Sequence, residues 1–191
     1  AECLRRMSYL EGRDFPPLIS VFSQSTPDLL NAAMNRLKEI KSSLDVDAIQ
    51  RVISALCNLP DRSADIALEI AADVSSQLLR LTNKLYPMPF AKTVKGLGEL
   101  GFRPADNIMT MLANRSLFLI SRFHLLDLGQ VISGFFKLGF FESADGERVL
   151  RAVSKEIMRR AADSTSREAV QLFLELNPCF CSQGKGVSRR L

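Results

Sequence analysis

Four basic side chains form one stripe in the C-terminal third of the chain: Arg148, Arg151, Lys155 and Arg159, at spacings of 3, 4 and 4, with Arg160 beside them. Such spacings bring side chains onto one face of an α-helix. A row of guanidinium and ammonium groups suits phosphates, and each phosphate it neutralises steepens the salt dependence of binding. Glu147 and Glu156 dilute the stripe, so a solvated, internally paired helix face is the competing reading. Lys185, Arg189 and Arg190 add positive charge near the end of the chain, a tether for RNA or for an acidic protein.

Bond-making chemistry has less to draw on. The single histidine, His124, stands beside Leu125 and Leu126 with no serine or cysteine placed near it by motif. It reads as a packed or capping residue rather than a base. Gly184-Lys185-Gly186-Val187-Ser188 has the ending of a phosphate loop without its earlier glycine or a preceding strand. Cys179-Phe180-Cys181 is half of a zinc motif that lacks the other half. Together with Cys3 and Cys57, these cysteines are too few and too unevenly spaced for a disulfide framework, which suggests free thiols in a reducing compartment. The carboxylates form no paired motif. No catalytic residue, metal ligand or cofactor is assigned, and a non-enzymatic protein is expected.

The elements that carry the basic residues follow from a repeat. "TVKGLGELGF" (Thr93 to Phe102) and "VISGFFKLGFF" (Val131 to Phe141) are near copies. Aligning them moves Leu100 onto Leu138, a shift of 38, and the same shift reaches Leu176. Backwards, shifts of 41 and 34 reach Leu59 and Ser25. The apolar pattern moves with them: Ile49, Ile53 and Leu56; Phe90, Val94 and Leu97; Leu128, Ile132 and Phe135; Val170 and Phe173; and, in a first unit, Phe15, Ile19 and Phe22. Each set lies on one face of a helix. A column holding Val21, Ala55, Gly96, Gly134 and Leu172 is mostly small. Glycine inside a helix costs roughly 1 kcal/mol against alanine, so its recurrence points to close approach of a partner helix.

After each first helix comes a break: "SQSTPD", "LPDRSAD", "LGFRPAD" or "LGFFESADG". Gly101 and Gly139 fit helix C-caps, Thr26 an N-cap, and Pro27 and Pro104 the first turn of the next helix. Second helices are expected near 27–43, 64–82, 104–121 and 145–162. Their inward residues would be Leu30, Met34 and Leu37; Ile66, Ile70, Val74 and Leu78; Ile108, Met111 and Leu112; and Val149, Val153 and Ile157. The chain therefore reads as all-α, an α-solenoid of four to five stacked hairpins with a repeat of about 38 residues. The repeat domain covers 1–178, with units near 14–44, 45–86, 87–124, 125–163 and a partial 164–178; a mobile basic tail covers 179–191.

Bulk properties agree with this. Of 191 residues 47% are hydrophobic, enough for a sizeable core, and the formal net charge of +4 permits an RNA partner without requiring one. No apolar run approaches ~18 residues, so no membrane span is expected.

Three polar columns are expected along the outer face of the first helices. They comprise Pro17, Ser20 and Gln24; Arg51, Ser54 and Asn58; Lys92, Lys95 and Glu99; Gln130, Ser133 and Lys137; and Glu168, Gln171 and Glu175. A stacked surface of Ser, Asn, Gln, Lys and Arg suits extruded bases and phosphates, a few side chains per unit. Plain solvation of the helix face is the alternative, and the columns hold no aromatic residue for stacking.

The segments Ala55-Leu56-Cys57-Asn58-Leu59, Gly96-Leu97-Gly98-Glu99-Leu100-Gly101 and Gly134-Phe135-Phe136-Lys137-Leu138-Gly139 carry a resemblance. The chain resembles the octotricopeptide and heptatricopeptide repeats of organellar proteins over roughly residues 14 to 178, and is similar to the helical repeats of FAST-kinase-like and RAP-domain proteins. No RAP-type domain follows the repeats here, and the unit lengths vary. The resemblance implies a mitochondrial, RNA-binding protein, plausibly a structural component of a mitochondrial ribosome or similar ribonucleoprotein, with neighbouring protein subunits as further partners. The alternative is a scaffold whose solenoid surface clasps a protein segment without contacting RNA.

Overall fold

The computed structural model describes residues 35–59, 65–161 and 164–183. A helical stretch over 35–40 runs into a 3-10 helix, Lys41–Ser43. Seven α-helices follow: α1 (Val46–Cys57), α2 (Asp65–Leu81), α3 (Pro87–Leu100), α4 (Asp106–Leu119), α5 (Leu125–Lys137), α6 (Ala144–Ala161) and α7 (Ser166–Gln183). No strand occurs among the described residues. Of the expected first unit, Phe15, Ile19, Phe22, Leu30 and Met34 lie outside them, while Leu37 is described and buried.

The helices stack in two layers. α1, α3, α5 and α7 pack in series to form the first layer; the stretch before α1, then α2, α4 and α6 form the second. Within each layer the helices run the same way, because each hairpin and the turn that follows it together reverse the chain twice. Lys38 pairs with Glu69 and Lys41 with Asp73, each at 2.7 Å, so residues later on one helix meet residues later on the next. This is the helical-repeat architecture that the periodicity predicts.

The inward residues of α1, α3 and α5 are buried as expected, and so are Ile70, Val74 and Leu78 of α2, Ile108 and Leu112 of α4, and Val149 and Val153 of α6. Met109 and Ala113 are also fully buried on α4, which widens its apolar face beyond the expected set.

The small-residue column does what its recurrence suggested. A Cβ on Gly134 would stand 2.5 Å from the Val94 carbonyl oxygen, and one on Gly96 would run into the Ile53 Cγ2 methyl. The close neighbour is the preceding first helix, not the second helix of the same hairpin. Gly101 and Gly139 take left-handed φ values of 66° and 63°. At Gly101 the amides of residues 101 and 102 bond back to Gly98 and Leu97, closing α3. Pro104 stands just ahead of α4 rather than in its first turn, since Ala105 is extended and the helix starts at Asp106.

The last helix departs from expectation. α7 continues to Gln183, so the segment from 179 begins as helix rather than tail. Val170 and Phe173 are 58% and 62% exposed, whereas Leu172 is buried. Among the described residues no second helix follows α7. Its one extensive contact is α5, where Leu172 fits against Gly129.

Candidate nucleic-acid interface

The first-layer face does not offer three open polar columns. Ser133 is only 2% exposed, and Gln130 is half-buried with its Oε1 unpaired. α5 lies close against both neighbours through Gly134 and Gly129, so its short side chains sink between α3 and α7. Longer side chains close over it. Lys95 Nζ reaches Glu175 at 2.7 Å and Glu99 at 3.9 Å, and Glu99 meets Lys137 at 3.8 Å. Two expected phosphate ligands, Lys95 and Lys137, thus stitch three helices together. Arg51, Asn58 and Lys92 stay exposed, Arg51 with its Nε on the Asp47 carbonyl; Ser54 is half-buried and accepts from Gln50 at 2.8 Å.

The basic stripe lies on the other layer, along α6, and it divides. Arg160 belongs to the scaffold: it donates to the backbone oxygens of Phe123 and Ser121, the latter at 2.9 Å, and pairs with Glu156 at 2.5 Å. Arg159 is held by Glu156 at 2.7 Å. The hydrogen bond from Arg159 and the bonds and charge of Arg160 outweigh partial desolvation and pull Glu156 down to about 2. Arg148, Arg151 and Lys155 remain on the surface around an open depression of about 460 Å³. Arg148 donates to Asn114 Oδ1 at 2.7 Å and lies 3.7 Å from Asp145, and Arg151 pairs with Glu147. That pair is 75% and 58% exposed at its two ends. Such a pair contributes only about 0.3–0.5 kcal/mol, too little to keep a phosphate away.

Arg148 joins this row to α4. Asn107, Thr110, Asn114 and Phe118 follow at steps of 3, 4 and 4, one exposed ridge of that helix. They line a second open depression, of about 420 Å³, with Thr82 and Arg115. Phe118 is 60% exposed, with the guanidinium carbons of Arg115 and Arg122 at 4.8 and 5.5 Å from its ring centre. This ridge lies outside the first helices and α6, where the expected ligands fall. Its signal was an apolar aromatic out of register with the buried face of α4.

No protein-family model matches the chain, and no curated protein is significantly similar to it. The local geometry alone therefore describes this surface: amide and hydroxyl groups, one open ring and a parallel row of cations. Lys185, Arg189 and Arg190 lie outside the described residues. Among the described residues no cluster of three His, Cys, Asp or Glu could hold a metal ion. The Cys57 thiol is buried and donates to the Gly96 carbonyl at 3.3 Å. His124 precedes α5, its amide donating to Asp127 at 3.0 Å. No described helix is long and apolar enough to cross a membrane.

Proposed function

We propose that the chain is a non-enzymatic helical-repeat protein that binds RNA along the outer surface of its second-helix layer. The observation that carries this is the junction at Arg148 and Asn114, which makes the polar ridge of α4 continuous with the cations of α6. Arg148, Arg151 and Lys155 span about 10 Å of one helix, spaced to meet successive phosphates. The exposed Glu147 that pairs with Arg151 exchanges readily for a phosphate. The resemblance to octotricopeptide-type repeats supports a mitochondrial setting and a place in a ribosome or similar ribonucleoprotein beside other protein subunits.

A protein scaffold is the second reading, favoured by the exposed apolar stripe of Val170, Phe173 and Leu174 on α7. Purification of the native protein with and without nuclease separates the two. Under the first reading the chain sediments with a large RNA-containing particle, and nuclease releases it. Partners retained in full after nuclease, with no RNA recovered, would instead select the scaffold.

A further inference from the structure

We propose that Phe118 is a stacking platform for one unpaired base of a single-stranded RNA, with Arg122 and the Arg148–Arg151–Lys155 row holding the flanking phosphates. This rests on the reading of the second layer as an RNA surface and adds the form of RNA that it takes.

Packing gives no reason for a phenylalanine at this position. Its side chain projects from the outer ridge of α4, while Leu112, Ala113, Ser116 and Leu119 fill the buried face of the same helix. The ring is large, rigid and open, as a base-stacking group must be. Arg115 and Arg122 lie within cation–π distance of it. Neither guanidinium has a carboxylate partner among the described residues. Arg115 is tied to neutral groups, the backbone oxygens of Leu85 at 3.0 Å and Asn83 at 3.3 Å. Burial, and then the charge of Arg122, lower its proton affinity. The two cations thus repel each other beside an open ring, and an anion arriving there relieves the repulsion.

The surroundings specify the ligand further. Asn114, Thr110 and Asn107 continue the ridge away from the ring, with donors and acceptors for a base edge, and no carboxylate lines that depression. α4 and α6 run in parallel, since Arg148 meets Asn114 and Arg160 meets Ser121. Between these two contacts, Arg151 and Lys155 lie alongside the last turns of α4, where Phe118 stands. A strand whose base rests on Phe118 therefore has Arg122 at the ring and the cations of α6 on the adjoining helix. A duplex keeps its bases stacked and offers the ring no face, so the arrangement selects single strands.

The test uses the full chain, a short unstructured RNA, a duplex of equal length and an abasic strand with the same backbone. Phe118→Leu keeps the apolar bulk and removes the π face. It is expected to weaken single-strand binding roughly 5- to 150-fold, the range for one stacked base. Duplex and abasic binding should stay as in the parent, and Phe118→Trp should restore single-strand affinity. If Phe118→Leu bound the single strand like the parent while Arg148→Glu/Arg151→Glu/Lys155→Glu lost binding, the RNA surface would stand and the platform would fall. An equal loss on all three ligands would also overturn the platform. Absence of binding to every ligand by the parent chain would overturn both.

Discussion

A methyl group added at Gly134 would meet the Val94 carbonyl oxygen at 2.5 Å and the Lys95 amide nitrogen at 2.8 Å. Backbone atoms cannot rotate aside, so α3 and α5 would have to separate. Overpacking of this kind costs about 1–3 kcal/mol, against a gain near 1 kcal/mol from replacing a helical glycine. Gly134→Ala should therefore lower the thermal midpoint. At Gly96 the obstacle is the Cγ2 branch of Ile53, a stiff side-chain group rather than backbone, and Gly96→Ala should cost less than Gly134→Ala. Calorimetry on the two variants checks the order; equal midpoints would deny that backbone contact sets the first-layer spacing. These glycines were legible because they recur at a shift of 38. The adjacent Ser133 is buried for the reason position 134 is glycine: where helices touch this closely a short side chain is covered. Lys95 at the equivalent position emerges only through its length.

Each second helix carries an arginine that grips the turn after the preceding second helix. Arg80 donates to the Leu44 oxygen at 3.0 Å, Arg115 to Leu85 at 3.0 Å, and Arg160 to Phe123. Leu44, Leu85 and Phe123 are equivalent positions: each follows a 3-10 turn, each is buried, and they are separated by the shifts of 41 and 38 found in the sequence. The turns were therefore legible, but the arginines were not. They stand 36, 30 and 37 residues from their acceptors, and a bond to backbone selects no partner side chain. Arg160→Met should leave carbonyls unpaired at a cost of about 1–3 kcal/mol. Lysine, without the forked donor, should not restore the loss. Amide hydrogen exchange should show the added opening at the α4–α5 turn rather than throughout the chain.

Glu156 adds a pH dependence to the same element. Its carboxyl is lowered from 4.5 to about 2, so its contribution to stability is complete above pH 4.5 and lost as pH falls towards 2. Glu156→Gln should flatten that part of the midpoint-versus-pH curve and leave the neutral region sloping as before. An unchanged acid limb would show that the Arg159 and Arg160 contacts do not hold α6 in solution.

Among the described residues the first layer packs in series from α1 and ends at α7. Lys95 and Glu175 join α3 to α7 over the top of α5, so the first layer is braced beyond nearest neighbours. The exposed stripe of Val170, Phe173 and Leu174 is unbraced. Polar replacement of all three should shift the thermal midpoint by no more than about 5 °C, since exposed side chains contribute little to folding, and under the scaffold reading should release the partners that survive nuclease in purification. The expected inward set for this last unit failed because a repeat pattern assumes a following helix to pack against, and the described residues hold none.

We propose contact between RNA phosphates and the second layer through α6. Its most direct measurement is the affinity for single-stranded RNA over a salt series, for the parent chain and for Arg148→Glu/Arg151→Glu/Lys155→Glu. At about 0.7 per single-strand phosphate contact, loss of three contacts should reduce the slope of log affinity against log salt by about 2. A parent chain that shows no affinity at low salt, or a variant with the parent's slope, would contradict the account.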